Sequence, residues 1–315
     1  MGEKVKDPGV GIFSKERAKR FINPNGTYNV KHINRKNSVN EAYTYLIGIG
    51  WLRFFCYVFL GFLFLNTIFA TLYVIIGVQN LGIRPSGLLI NFARSFFFSV
   101  QTLTTLGYGF LAPHGVVAGI ISSLEALIGL LSFAFITGLL YGRFSKPISN
   151  IRFSDSFLLC KHKGYDAIMF RLLSRRKSLI VLPKIKVSLM ISKPDETGKG
   201  YQNDFFQLKL EREQITYLPT TWTLVHSIDK DSPLNGYNRE QIQQLQGELL
   251  ILFSYQDDSF NEELHQIHSY IFQDLKVGYR FKKAFNFNEE GQVVLDHNLV
   301  NKMEPEYEAV TNLKN

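Results

Sequence analysis

The chain divides by its pattern of apolar and polar positions. Residues 1–40 are polar and basic, carry turn signals at Asn23-Pro24-Asn25-Gly26, and show no sustained period. Residues 41–50 (EAYTYLIGIG) are mildly amphipathic. They predict a short helix lying in a membrane interface, where Tyr43, Tyr45 and Trp51 suit headgroup depth. Residues 54–78 contain no charged side chain, and residues 116–142 contain only one, Glu125. A helix crosses a hydrocarbon core with about 20 apolar residues, so both segments are predicted to span. Soluble helices of this length keep a polar face. Between the spans, residues 79–91 hold Gly82, Pro85 and Gly87 and predict an outer turret. Segment 92–104 (FARSFFFSVQTLT) is apolar and aromatic but too short to span. A run of that length is a buried or re-entrant helix. The second span is predicted to stop before Lys146-Pro147.

Beyond residue 150 the period becomes two. Lys184–Leu189 and Phe206–Glu211 alternate, and Leu249–Phe253 is a short apolar run. With turn clusters such as 194–198, these predict short strands in a β-sandwich. Residues 238–246 predict one short helix. The resulting division is an N-terminal segment 1–40, a membrane part 41–150, a sandwich 151–302 and a tail 303–315. No repeat is visible. His265 and His268 are three apart, with no third residue at ligand spacing to support zinc.

Charge adds orientation. Lys15, Arg17, Lys19, Arg20, Lys31, Arg35, Lys36 and Arg53 precede the first span, and Arg143, Lys146 and Arg152 follow the second. The connection 79–115 holds only Arg84 and Arg94. Positive-inside logic places both termini in the cytoplasm, in a multi-pass protein of the cell (inner) membrane. A formal charge of +8 then reads as attraction to anionic headgroups rather than to nucleic acid, because the cations cluster at the membrane edges. A secretory signal is not expected, since the first apolar segment is too long and follows 50 polar residues. Cys56 and Cys160 do not lie in the external connection, and no disulfide is expected.

The stretch Thr102–Phe110 (TLTTLGYGF) sits after the short aromatic helix and between the spans. A potassium ion sheds water only where oxygens replace its shell, and backbone carbonyls of an extended loop do this. Gly107 and Gly109 give the backbone angles that let successive carbonyls face one axis. Thr105 adds a hydroxyl, Leu106 continues the loop, and Tyr108 is expected to point away and pack on Phe96–Phe98. The C-terminal end of the preceding helix favours a cation. One chain supplies one loop and a ring takes four, so a homotetramer, or a heteromer with similar chains, is implied. No metal other than K+ at this loop, and no cofactor, is expected.

These residues resemble the inward-rectifier potassium channel family. Arg20–Val30 (RFINPNGTYNV) resembles its amino-terminal segment, and 96–110 its pore helix and filter. Pro219–Asp229 (PTTWTLVHSID) with Ser232-Pro233-Leu234 resembles a specific motif of its cytoplasmic domain, continued by Glu248–Leu252, His268-Ser269-Tyr270 and Gly278–Phe281. The resemblance implies two transmembrane helices with a re-entrant pore helix and filter, then an immunoglobulin-like cytoplasmic sandwich, as a homotetramer. The short chain and the lack of cysteines flanking the pore point to a prokaryotic member.

Departures from the family matter. Many members hold an acid at the place of Gln101 and, in animals, a base at Leu111. Replacing both partners of a buried pair can be neutral, whereas losing one costs several kcal/mol. The filter is then braced otherwise, and Glu125 is a candidate, either as a protonated hydrogen-bonding group or by attracting ions. The match places Phe133 where strong rectifiers carry a polyamine-binding acid, so weak polyamine rectification is expected. Thr137 and Tyr141 follow Phe133 at spacing four. Tyr141 is either a bundle gate or a headgroup anchor. Gly129 and Gly138 either flex the second span or allow close packing. Arg53, Arg143 and Lys146 resemble positions that bind an anionic phospholipid, or are ordinary positive-inside anchors. Ile148 and Ser149 replace a basic pair of animal members. Residues 257–265 match the family's G-loop in position only, and a solvated acidic turn explains them equally. A subunit of a potassium transporter is the alternative reading, although such transporters carry several degenerate filters per chain. No phosphate loop or nucleophile arrangement points to an enzyme.

Overall fold

The computed structural model describes residues 4–9, 11–14, 16, 20–34, 39–146, 149–175, 180–196, 199–257 and 262–306. They form two compact units, Asn34–Lys146 and, together, Met1–Ile33 with Pro147–Asn315. The N-terminal segment therefore belongs to the same unit as the C-terminal half instead of standing apart.

The first unit is helical. Helix α1 spans Val39–Gly48, α2 Trp51–Ile76, α3 Leu88–Leu103 and α4 Val116–Ser145. A 3-10 turn over Val78–Leu81 and an extended stretch occupy the segment read as a turret, and α3 opens within it at Leu88. Helices α2 and α4 are long and apolar enough to cross a membrane. Most of their large side chains are exposed in the single chain. Where the helices meet, Phe69, Tyr73, Val78, Leu81, Ile83 and Phe98 form an apolar cluster, with Leu111 packed against it.

The second unit is a sandwich of two sheets. The strands are β1 Phe13–Ser14, β2 Ile151–Phe153, β3 Phe157–His162, β4 Tyr165–Ser174, β5 Ile180–Pro194, β6 Tyr201–Leu208 and β7 Thr221–Ser227. They continue as β8 Gly247–Asp257, β9 Glu262–Ile271, β10 Leu275–Val277, β11 Tyr279–Phe281, β12 Phe285–Phe287, β13 Val293–Leu295 and β14 Met303–Pro305. One sheet runs β1-β6-β5-β8-β9, and the other β10-β3-β4-β2 with β7 on the far side of β4. The period-two reading of 184–189 has its physical basis here. Ile185, Val187 and Leu189 are buried while Lys184 and Lys186 face out, onto a core that includes Phe170, Trp222, Phe253 and Tyr270. The expected helix is α5, Arg239–Gln243, opened by an Asn238–Gln241 capping box.

The tail begins later than the sequence indicated. Residues Met303–Pro305 pair with Phe281–Tyr279, and Glu306 bonds Arg239 at 3.1 Å. Residues 307–315, the basic positions Lys15, Arg17, Lys19, Arg35 and Lys36, Ile148, and 258–261 of the G-loop match lie outside the described residues.

Candidate functional site

The loop after α3 has its backbone polarity sorted. Leu106 N–H donates to the Gln101 carbonyl at 2.8 Å and Gly107 N–H to the same oxygen at 3.4 Å; Thr105 N–H donates to Thr102 O at 3.0 Å. The donors thus turn back into the orphan carbonyls of the helix end. Among the described residues, no donor bonds the carbonyl oxygens of Thr105, Leu106, Gly107, Tyr108 or Gly109. Left-handed backbone falls on every second residue, with φ of 59° at Thr105, 51° at Gly107 and 78° at Gly109. That alternation lets an extended loop swing successive carbonyls to one side. Glycine takes such angles freely, whereas Thr105 holds one at a cost of about 1–2 kcal/mol. Unpaired oxygens in a row are a cation-coordinating surface.

Tyr108 does not pack on its own chain's Phe96–Phe98. It is 71% exposed, and Phe98 instead meets Tyr73 edge-on at 5.1 Å. The outer face of this loop is bare in one chain.

Behind the loop lies a polar cluster inside the apolar helices. Tyr73 Oη donates to Glu125 Oε2 at 2.6 Å, Ser99 Oγ contacts Glu125 Oε1, and Ser99 Oγ meets Asn66 Oδ1 at 2.9 Å. All four side chains are 0% exposed. They join α2, α3 and α4 near the end of α3, which the 105–109 loop follows. Leu111 is in the neighbouring apolar cluster, and Gln101 acts through its carbonyl. The sequence singled out Glu125 but missed Asn66, Tyr73 and Ser99. A lone amide within an otherwise apolar span was the available signal for Asn66. One turn further along α4, Gly129 lies against the end of α3. A Cβ there would sit 2.9 Å from the Leu103 carbonyl carbon and closer to its oxygen. A Cβ at Gly138 would meet nothing within 4 Å.

Phe133, Thr137 and Tyr141 form one exposed stripe on α4, and Thr137 Oγ1 donates to the Phe133 carbonyl at 2.8 Å. The guanidinium of Arg143 donates to three carbonyls at the end of α1: Leu46 at 2.6 Å, Ile47 at 3.1 Å and Ile49 at 2.7 Å. It also lies over the Trp51 and Phe54 rings at 4.5 and 4.6 Å. This is a cation capping a helix C-terminus. Arg53 and Lys146 are exposed.

In the other unit the RFI segment is clamped. Glu248, 1% exposed, accepts from Phe21 N–H at 2.7 Å and Ile22 N–H at 3.1 Å. Arg20 bonds the Ser269 carbonyl at 2.5 Å. His226 bridges the Lys209 carbonyl and Ser232 Oγ at 2.7 and 2.9 Å, which explains the spacing of the HSID and SPL residues. Burial lowers its pKa. His268 stacks on Phe153 at 4.5 Å, and burial, aided by the Arg20 charge, pushes its pKa down to about 4. His265 faces the opposite side of β9, and among the described residues no group of His, Cys, Asp or Glu is arranged to hold a metal.

The model of the inward rectifier potassium channel C-terminal domain matches residues 151–312, just over half of the chain, and an ion channel model matches 62–146. The chain belongs to the inward-rectifier potassium channel family. It is 29% identical over 91% of its length to the inward rectifier potassium channel Kirbac3.1 of Paramagnetospirillum magnetotacticum, covering 96% of that protein. It is 23% identical over 92% of its length to irk-1 of Caenorhabditis elegans, covering 58% of that channel. Against ATP-sensitive inward rectifier potassium channel 12 of Gallus gallus the identity is also 23%, over 90% of this chain and 71% of that one. The protein is thus a membrane ion channel of the potassium-conducting kind, not an enzyme, as the sequence resemblance implied.

Proposed function

We propose that four copies of this chain form a passive, potassium-selective pore in the cell membrane, with both termini cytoplasmic. Each copy contributes the Thr105–Gly109 carbonyls to a shared filter. The observation that carries this reading is the sorting of the loop backbone: donors returned to Gln101 and Thr102, oxygens left free. The exposed Leu106, Tyr108 and Phe110 are the surfaces that neighbouring copies cover. Phe133, Thr137 and Tyr141 line the inner pore, and the Tyr141 rings form a constriction that gates by dewetting. With Phe133 in place of an acid, polyamine block is weak. Arg53 and Lys146 offer the free cations for an anionic phospholipid, while Arg143 anchors α1 beside them.

The test is rubidium uptake into liposomes holding purified protein and internal potassium, with barium as blocker. Barium-sensitive uptake that sodium cannot replace is expected. Equal sodium and rubidium flux would refute the filter reading.

A further inference from the structure

The polar cluster behind the filter is satisfied by one proton arrangement. Asn66 Nδ2 donates to the Phe62 carbonyl at 2.7 Å, so Oδ1 is the atom facing Ser99 at 2.9 Å. An amide oxygen only accepts, and a hydroxyl carries one proton. Ser99 Oγ also contacts Glu125 Oε1. If the Ser99 proton goes to Glu125, two oxygens face each other at Asn66 with no hydrogen between them. If it goes to Asn66, Oε1 of Glu125 must bring its own proton. Tyr73 completes the set by donating to Oε2. The cluster is fully buried within a single chain, which shields it from bulk water and from a second copy. Among the described residues, no Lys, Arg or His forms an ion pair with Glu125. An ionised carboxylate buried without a cation is strongly disfavoured.

We propose that Glu125 is a positioning residue that works as a neutral acid. Its Oε1–H donates to Ser99, Ser99 donates to Asn66, and Tyr73 donates to Oε2. This chain of donors holds α3, and the filter loop that follows it, against α2 and α4. The functional consequence rests on the filter reading above; the proton does not. Removing the proton would leave either Ser99 or Asn66 without its hydrogen bond and place a bare charge beside α3. Tyr73 on α2 is the titratable group facing Glu125; α3 presents Ser99, and Asn66 does not ionise.

Glutamine mimics the neutral acid, with an N–H toward Ser99 and an oxygen toward Tyr73. The experiment compares the 315-residue chain with Glu125→Gln by infrared difference spectroscopy and rubidium uptake across pH. The expected result is a protonated carboxyl C=O stretch at neutral pH that shifts in D2O and is missing from Glu125→Gln. Uptake by Glu125→Gln should stay within about threefold of wild type, because the neutral hydrogen bonds survive. At alkaline pH wild-type uptake should fall while that of Glu125→Gln stays level. Carboxylate bands at neutral pH would overturn the proposal, as would a loss beyond about tenfold in Glu125→Gln. If Glu125→Gln does not fold, Ser99→Ala serves: the acid band should persist at a shifted frequency, and its absence would overturn the assignment. Should wild type conduct no rubidium, as with the Tyr141 constriction shut, the infrared result still decides the proton, whereas equal sodium and rubidium flux would sink the filter reading alone.

Discussion

Replacing Gly129 with alanine separates a packing glycine from a hinge. The new Cβ would lie 2.9 Å from the Leu103 carbonyl carbon and 3.1 Å from its Cα. Non-bonded carbons settle at about 3.5–4.0 Å. Either α4 retreats by about 1 Å, or the last turn of α3 moves and takes the filter loop with it. Overpacking of this kind costs about 1–3 kcal/mol, against which alanine regains about 1 kcal/mol of helix propensity. The net loss expected is about 1 kcal/mol, with a ceiling of about 2. Gly138→Ala is the internal control. Nothing lies within 4 Å of its added methyl, so a gain of up to about 1 kcal/mol is expected. Thermal unfolding of purified protein in detergent reads both, and rubidium-to-sodium selectivity reads the filter. The reasoning is refuted if the two variants are equally stable. Increased uptake by Gly129→Ala at unchanged stability would mark a hinge instead.

Other perturbations test other parts. Gly109→Ala forces a side-chain-bearing residue to φ 78°, at about 1–2 kcal/mol; liposome flux should show reduced selectivity for rubidium over sodium. Phe133→Asp should create steep, voltage-dependent block by spermine in bilayer recordings, and unchanged block would remove Phe133 from the pore. Tyr141→Ala should raise open probability, and an unchanged value counts against the gate. For His268, the ordinary pKa of 6.5 falls to about 4 on folding. The unfolded chain therefore binds the proton first, and the stability is full above about pH 6.5 and lost as pH falls toward about 4, by about 3 kcal/mol in all. His268→Phe keeps the stack on Phe153 and should flatten that acid-side decline in unfolding curves.

The family was legible because the stretch 102–110 sets two glycines around a tyrosine after an aromatic run, a pattern few other roles ask for. The sandwich was legible from alternation at 184–189, since a sheet with one wet face has to alternate. What escaped were contacts between segments far apart in the chain. Glu248 accepting the Phe21 and Ile22 amides ties the N-terminal segment to the sandwich unit, and no local period announces a carboxylate aimed 226 residues back. The strand at 303–305 was read as tail because three residues are too few to show a pattern. Tyr108, read as packing on aromatics such as Phe96–Phe98, is 71% exposed in the single chain, so one chain alone does not supply that packing.

Helix α4 is where sequence was least informative and structure most. Its 30 residues are apolar on nearly all sides, so no hydrophobic face distinguishes one role from another. The contacts do. Glu125 and Gly129, one turn apart, grip Ser99 and Leu103, also one turn apart on α3. Near its other end Gly142 admits Ile47 and Tyr43 of α1, where an added Cβ would meet either at 2.9 Å, and Arg143 caps the same helix. Phe133, Thr137 and Tyr141 lie between these two anchor points on a stripe that stays exposed among the described residues. At 100° per residue, the stripe is centred about 120° from the Glu125–Arg143 line. One helix thus carries a holding face at both ends and a free face in the middle. Arg143 ties α4 to the end of α1, and Glu125 and Gly129 set it against the end of α3. Loosening the Arg143 cap and loosening the Glu125 cluster should therefore perturb conduction from opposite ends of the same rigid element.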